Sequence, residues 1–289
     1  MSESDIAARL RRLEAAPLGV SEETDIRLSL GGIQSKLPLA QIGGEFFDPK
    51  FDLASTVILK PEPSLWPRLV ELEAWGLRIL RQSGIPVPDL EIREFEGIRT
   101  LIAKRFDRSV VDGPTVERVH QEDMCMAVGA LPKEKYSTTP RQKTSLRNLA
   151  RVLDANSATT DRDIAAFVGS VVVNIAIGNC DGHARNWALL HSSDGDVRLA
   201  PGYDVVPTYH FPGHIRYLAQ PIAGNVTNPA NVMWHHLEAE MESWSIQAAL
   251  DALEPAVAAV GKALDLVGLP GDSPELEKLV GDFDRLRPK

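Results

Sequence analysis

An apolar run from Ile164 to Ile177 stops abruptly at Gly178, and five of the eight residues that follow, Asn179 to Asn186, are polar or charged. No other stretch limits the possible folds so tightly. Its near-continuous apolarity predicts a helix buried on all sides, opened by Thr160 and Asp163 read as a capping box. It is too short to span a bilayer and contains Gly169, Ser170 and Asn174, so it is predicted to lie in a protein core. A second apolar run, Trp187 to Leu190, begins directly after Asn186. A polar knot between two buried segments sets functional groups on a loop held by rigid elements.

Within the knot, Asp181 stands five residues before Asn186. That is the spacing of a kinase catalytic loop, where the aspartate receives the substrate hydroxyl proton and the asparagine holds a magnesium ion. A second aspartate should follow after a short hairpin. Asp204 occupies that place, beyond two short strands joined at Asp194-Gly195. A surface turn rich in Asp, Gly and Asn would carry the same letters, so spacing alone leaves both readings open.

Upstream, Asp5 to Glu14 has the pattern of an amphipathic helix. Arg27 to Leu39 places Gly31 and Gly32 between apolar residues, which suggests two strands joined by a loop able to approach a ligand. Thr56 to Pro61 reads as a strand ending in Lys60. A lysine leaving an apolar strand ordinarily snorkels to solvent. The order carries more weight: a glycine loop, a strand lysine, then a helix from Arg68 to Ser83 that contains Glu71 and Glu73. In a kinase one such glutamate pairs with the lysine. Leu90 to Phe95 and Thr100 to Ala103 read as strands around Glu96-Gly97, and Lys104 to Arg108 as a hinge. The remainder is predicted to be mostly helical, including Gln121 to Val128 and the tail from Val232 to Leu266.

Composition excludes several classes. A formal charge of −9 argues against a broad nucleic-acid surface, and direct nucleic-acid binding is not expected. Cys125 and Cys180 are the only cysteines and form no ligand-spaced pair, which suits a reducing compartment. The start lacks a signal-peptide pattern. A soluble, cytoplasmic protein without membrane attachment is the expectation.

Six motifs together resemble the HipA-like serine/threonine kinases, the toxin kinases of bacterial toxin–antitoxin modules. They are Ser29 to Lys36, Ile58 to Pro61, Lys104 to Arg108, His120 to Cys125, Gly178 to Asn186 and Leu199 to Asp204. The resemblance implies an α+β, two-lobed protein-kinase-like fold. A small β-rich N-lobe (1–107) would hold the glycine-rich loop, lysine strand, regulatory helix and hinge, and a larger, mainly helical C-lobe (108–289) the catalytic loop. It also implies ATP and Mg²⁺ as cofactors. Lys60 would contact the phosphates and be held by Glu73, Gly31 and Gly32 would cover the nucleotide, and the backbone around Lys104 and Phe106 would receive adenine. Asp181 would act as base, Arg185 would screen the transferring phosphoryl group, and Asn186 and Asp204 would hold the metal. Ser29 would be the loop serine modified by autophosphorylation, with Ser35 and Thr24 as rivals.

The chain departs from the family at three points. Lys104 stands where an acid is common, and Leu72 where a polar residue is common. The glycine loop also begins early, as in short members whose N-terminal subdomain is absent or separately encoded. Implied partners are therefore a protein substrate, with an aminoacyl-tRNA synthetase the leading candidate, an antitoxin or repressor, and a separate subdomain protein. Two other functions fit some of the same residues. One is a nucleotide-holding pseudokinase that docks an antitoxin. The other is a metal-dependent hydrolase using Asp181, His183 and Asp204.

Overall fold

In a computed structural model, residues 1–15, 35–49, 53–112, 115–211, 213 and 216–289 are described. They divide into two compact units, Met1–Ala74 with Pro88–Val119, and Trp75–Val87 with His120–Lys289. Among the described residues, no helix is long and apolar enough to cross a membrane.

The first unit is built on a five-stranded antiparallel sheet. It uses β1 (Leu37–Ile42), β2 (Glu45–Phe47), β3 (Val57–Pro61), β4 (Leu90–Phe95) and β5 (Ile98–Lys104), in the order β2-β1-β3-β5-β4. Between β4 and β5, Glu96 and Gly97 have φ of 46° and 83°. A two-residue turn with both centres left-handed matches the twist of its strands, which is why Glu-Gly closes this hairpin. Helix α1 (Glu3–Ala15) lays Ile6, Ala7 and Leu10 against Leu39, Phe46, Val57, Leu59, Phe95 and Ile102. Helix α2 (Leu69–Gln82) begins in this unit and packs Val70 and Ala74 on Leu101 of β5. Strands β6 (Arg108–Asp112) and β7 (Thr115–Arg118) add a separate hairpin.

In the second unit, β8 (His120–Asp123) leads into the one-turn helix α3 (Met124–Ala127). Helices α4 (Leu146–Asn156) and α5 (Thr160–Ile177) follow, then strands β9 (Ala188–His191) and β10 (Val197–Leu199). The unit closes with α6 (Trp234–Trp244), α7 (Gln247–Val267) and α8 (Pro274–Gly281). Helix α5 is the buried column that its sequence predicts, with every residue from Phe167 to Ile177 inaccessible. The Phe167 ring meets Trp187 edge-on at 5.2 Å and Trp244 at 5.6 Å. Its start differs from the capping box read in the sequence. Thr159 is the cap residue, and the buried Asp163 carboxylate instead accepts from Ser157 Oγ and the Leu199 amide, both at 2.7 Å. A tertiary donor displaces the local one because it ties β10 to the helix.

The predicted helix Gln121–Val128 is also corrected. Its first half is strand, pairing antiparallel with β9 from His120↔His191 to Asp123↔Ala188. Asp123 then caps the helical remainder by accepting from the Met126 amide.

Gly178 ends α5 at φ 71°, with the Asn179 amide donating to Asn174 O and the Gly178 amide to Ile175 O. This paired C-terminal pattern requires a left-handed residue. A Cβ at Gly178 would lie 2.5 Å from Tyr209 Cβ and 2.8 Å from Leu279 Cδ2. Gly178→Ala is therefore expected to lose about 2–5 kcal/mol, combining the left-handed penalty with overpacking. Its urea midpoint should fall with an unchanged slope; an unshifted midpoint would contradict this account.

Candidate active site

Every backbone turn of the loop after Gly178 is fixed by an identifiable bond. The Cys180 amide donates to Thr208 Oγ1 at 2.8 Å, and the Tyr209 amide to Gly178 O at 2.9 Å. Asn179 Oδ1 accepts from the Asp181 amide at 3.1 Å, the local turn that an Asn-x-Asp sequence favours. Asn179 Nδ2 in turn donates to Asn174 Oδ1 at 3.0 Å, so a side chain inside α5 sets the loop's pitch. A Cβ on Gly182 would come 2.9 Å from Asn174 Nδ2, which accounts for glycine there. The Ala184 amide donates to Lys135 O at 3.1 Å.

Asp181 is buried, and its Oδ1 accepts from the Tyr136 hydroxyl at 2.7 Å. His183 is buried beside it, its ring edge-on to Tyr136 at 5.3 Å. Burial, and then the Lys135 cation, push the His183 pKa down to about 3. The ring is neutral at physiological pH.

Asn186 joins the two aspartates that the sequence paired with it. Its Nδ2 donates to the backbone carbonyls of Asp181, at 3.2 Å, and Asp204, at 3.3 Å. Asp204 sits at φ 53°, a conformation that aspartate tolerates better than most residues. With both amide hydrogens of Asn186 so directed, Oδ1 is the atom it could offer to a cation. That oxygen and the Asp204 carboxylate are hard donors of the kind Mg²⁺ takes, usually one or two from protein and the rest from phosphates and water. Among the described residues no three His, Cys, Asp or Glu side chains gather to hold a metal, so the three-ligand set of the hydrolase reading is not assembled.

Arg185 is about half exposed, and its Nε donates to Asp123 Oδ2 at 3.0 Å. The Tyr203 hydroxyl donates to Arg185 O at 2.8 Å; burial, then Asp204, raises that phenol's pKa.

In the first unit, Lys60 does not snorkel. It is buried on β3 opposite Leu101, and its Nζ meets Glu73 Oε1 at 2.5 Å. Glu71, the alternative partner, is partly exposed and pairs with Arg68. Glu62 Oε2 accepts from the Val70 amide at 2.9 Å, securing the first turn of the helix that carries Glu73. Lys104 is exposed, with Nζ 3.9 Å from Asp89 Oδ2, and its amide donates to Asp89 O. Phe106 is half-buried. Ser29, Gly31, Gly32 and Thr24 lie outside the described residues; Ser35 is within them and donates to Leu13 O at 3.1 Å.

Tyr136, Asp123, Asn174 and Thr208 escaped the sequence reading. Asn174 lies just before the loop, five residues from Asn179, whose spacing to Asp181 is itself a local turn signal. Tyr136, Asp123 and Thr208 reach the loop from distant positions through tertiary contacts.

The HipA-like C-terminal domain family model matches residues 28–264. Y4mE of Sinorhizobium fredii, a protein with a provisional kinase name, is 34% identical over 229 residues, covering 78% of this chain and 53% of its own length. The serine/threonine-protein kinase toxin HipA of Shewanella oneidensis is 28% identical over 225 residues, covering 75% of this chain and 51% of its own. The chain thus spans about half the length of these curated relatives. Among solved structures, HipA from a HipA–HipB–operator DNA complex of Shewanella oneidensis MR-1 superposes with a TM-score of 0.78 at 24% identity, covering 98% of this chain and 68% of that one. The Helicobacter pylori proinflammatory kinase CtkA gives 0.53 at 14% identity, covering 86% of this chain and 88% of its own. At those identities the likeness is one of fold.

Proposed function

The chain belongs to the HipA-like C-terminal domain family, and from that premise we propose that it is an ATP- and Mg²⁺-dependent serine/threonine protein kinase. The observation that carries the reading is the Asn186 amide bridging the carbonyls of Asp181 and Asp204. Asn186, itself proposed to hold the metal, is thereby tied both to the proposed base and to the second proposed metal-binding residue. In this reading, Asp181 aligns the acceptor hydroxyl and takes its proton. Asn186 and Asp204 hold Mg²⁺, which neutralises phosphate charge when bound. Lys60, kept in place by Glu73, contacts the nucleotide phosphates. Arg185, held by Asp123, would screen the transferring phosphoryl group. Gly31 and Gly32 cover the nucleotide. The Lys104 amide is already engaged, so adenine recognition would use other groups between Lys104 and Phe106.

The proposed substrate is a cellular protein, an aminoacyl-tRNA synthetase first among the candidates. The proposed partners are an antitoxin of the HipB kind and a separate subdomain protein. Support for the antitoxin comes from a structural relative solved with HipB and operator DNA.

The test is incubation with γ-labelled ATP and Mg²⁺, alone and with cell lysate, followed by phosphopeptide mapping. Wild-type protein should label itself at Ser29, and the Asp181→Asn variant should not. Phosphate there adds about −1.5 to −2 charges beside the triphosphate, so stoichiometrically modified protein should bind ATP more weakly. Binding of ATP without transfer to any acceptor would favour the pseudokinase.

A further inference from the structure

Resting on that kinase reading, we propose that Tyr136 is a positioning residue for phosphoryl transfer, a fixed phenol donor that sets the rotation of the Asp181 carboxylate. The loop bonds described above hold the backbone of Asp181, but none of them acts on its side chain. The Tyr136 hydroxyl does so directly, at 2.7 Å from Oδ1. A hydrogen bond to an ionised carboxylate is among the stronger kinds, and it is directional.

Tyr136 is itself held on both sides. Before it, the Lys135 carbonyl receives the Ala184 amide, so its segment is stitched to the loop it serves. After it, the Ser137 amide donates to Ala219 O at 3.0 Å. Thr144 Oγ1 donates to Glu134 O at 2.9 Å and lies 3.4 Å from Tyr136 O. The ring stands edge-on to His183, with Lys135 Nζ 5.1 Å from its centroid. These bonds pin the main chain that carries the phenol, and the ring contact with His183 together with the bond to Asp181 fixes its side-chain torsions, so it acts as a support and not as a lid. Correct placement of a base within ångströms is what separates a bound hydroxyl from a reacting one.

Tyr136→Phe removes the donor and leaves the ring contacts with His183. The measurement is the initial rate of phosphate transfer from γ-labelled ATP to the protein itself and to water, as a function of Mg²⁺-ATP concentration. The expected result is a kcat roughly 10- to 100-fold lower, matching the loss of one charge-assisted hydrogen bond, with KM for Mg²⁺-ATP within about twofold. Incorporating 3-fluorotyrosine at 136, which restores a donor, should recover most of the rate. Full kcat in the Phe variant, or no recovery with 3-fluorotyrosine, would overturn the positioning role while leaving the kinase reading intact. A lowered melting temperature accompanied by a proportional rise in KM would overturn it in favour of a purely structural part. If wild type transfers phosphate no faster than Asp181→Asn, the kinase reading itself fails, and the role of Tyr136 with it.

Discussion

Asp181→Asn is expected to lower phosphoryl transfer by about 10²–10⁴-fold, the usual worth of a positioned general base, while ATP affinity stays within severalfold. On the proposed reading, Asp181 would act on the acceptor hydroxyl and not on the nucleotide. Asp204→Asn should do the opposite in binding, because on the same reading it would remove a charged ligand from the metal and so weaken Mg²⁺-ATP itself. Titration calorimetry of both variants with ATP, with and without Mg²⁺, separates the two roles. The Asn186 bonds should survive both changes, since they are made to backbone carbonyls. Equal loss of Mg²⁺-ATP affinity in the two variants would refute the division of labour.

Glu73→Ala is expected to destabilise the first unit by about 3–5 kcal/mol. Both partners of the Lys60–Glu73 pair are almost fully inaccessible, at 6% and 2% side-chain exposure. Deleting Glu73 takes from the buried Lys60 ammonium its counter-charge at 2.5 Å. The double variant Lys60→Met with Glu73→Leu removes both charges and should recover most of that stability, because apolar replacements of a buried pair are often neutral or better. It should nonetheless bind ATP poorly. Lys104→Ala is the control; its side chain is exposed and should change neither stability nor ATP affinity appreciably. A double variant as unstable as Glu73→Ala would show that the cost lies in packing and not in charge.

These expectations draw on a site that was legible in part. The order lysine strand, helix glutamate, catalytic loop and second aspartate could be read because each lies on an element with its own local pattern. Choosing Glu73 over Glu71 needed the family resemblance, and the structure joins Glu73 to Lys60. The β8 strand has no local signature, because His120 to Asp123 has no alternation of its own and pairs with residues some seventy positions away. Tyr136 could not have been found locally. It sits in a short charged segment, and the role proposed for it rests on a contact 45 residues along the chain.

Asn174 gives the buried helix one admissible alignment. A column apolar on every side could slide or rotate among similar packings with little change in the area removed from water. Its amide spans Asn179 on one side and the close approach of Gly182 on the other, so a displaced helix would bury a polar group with no partner. The loop therefore inherits its position from the core beneath it. Mutations deep in that core, far from any reacting atom, should alter the chemistry by shifting the helix that the aspartate rides on.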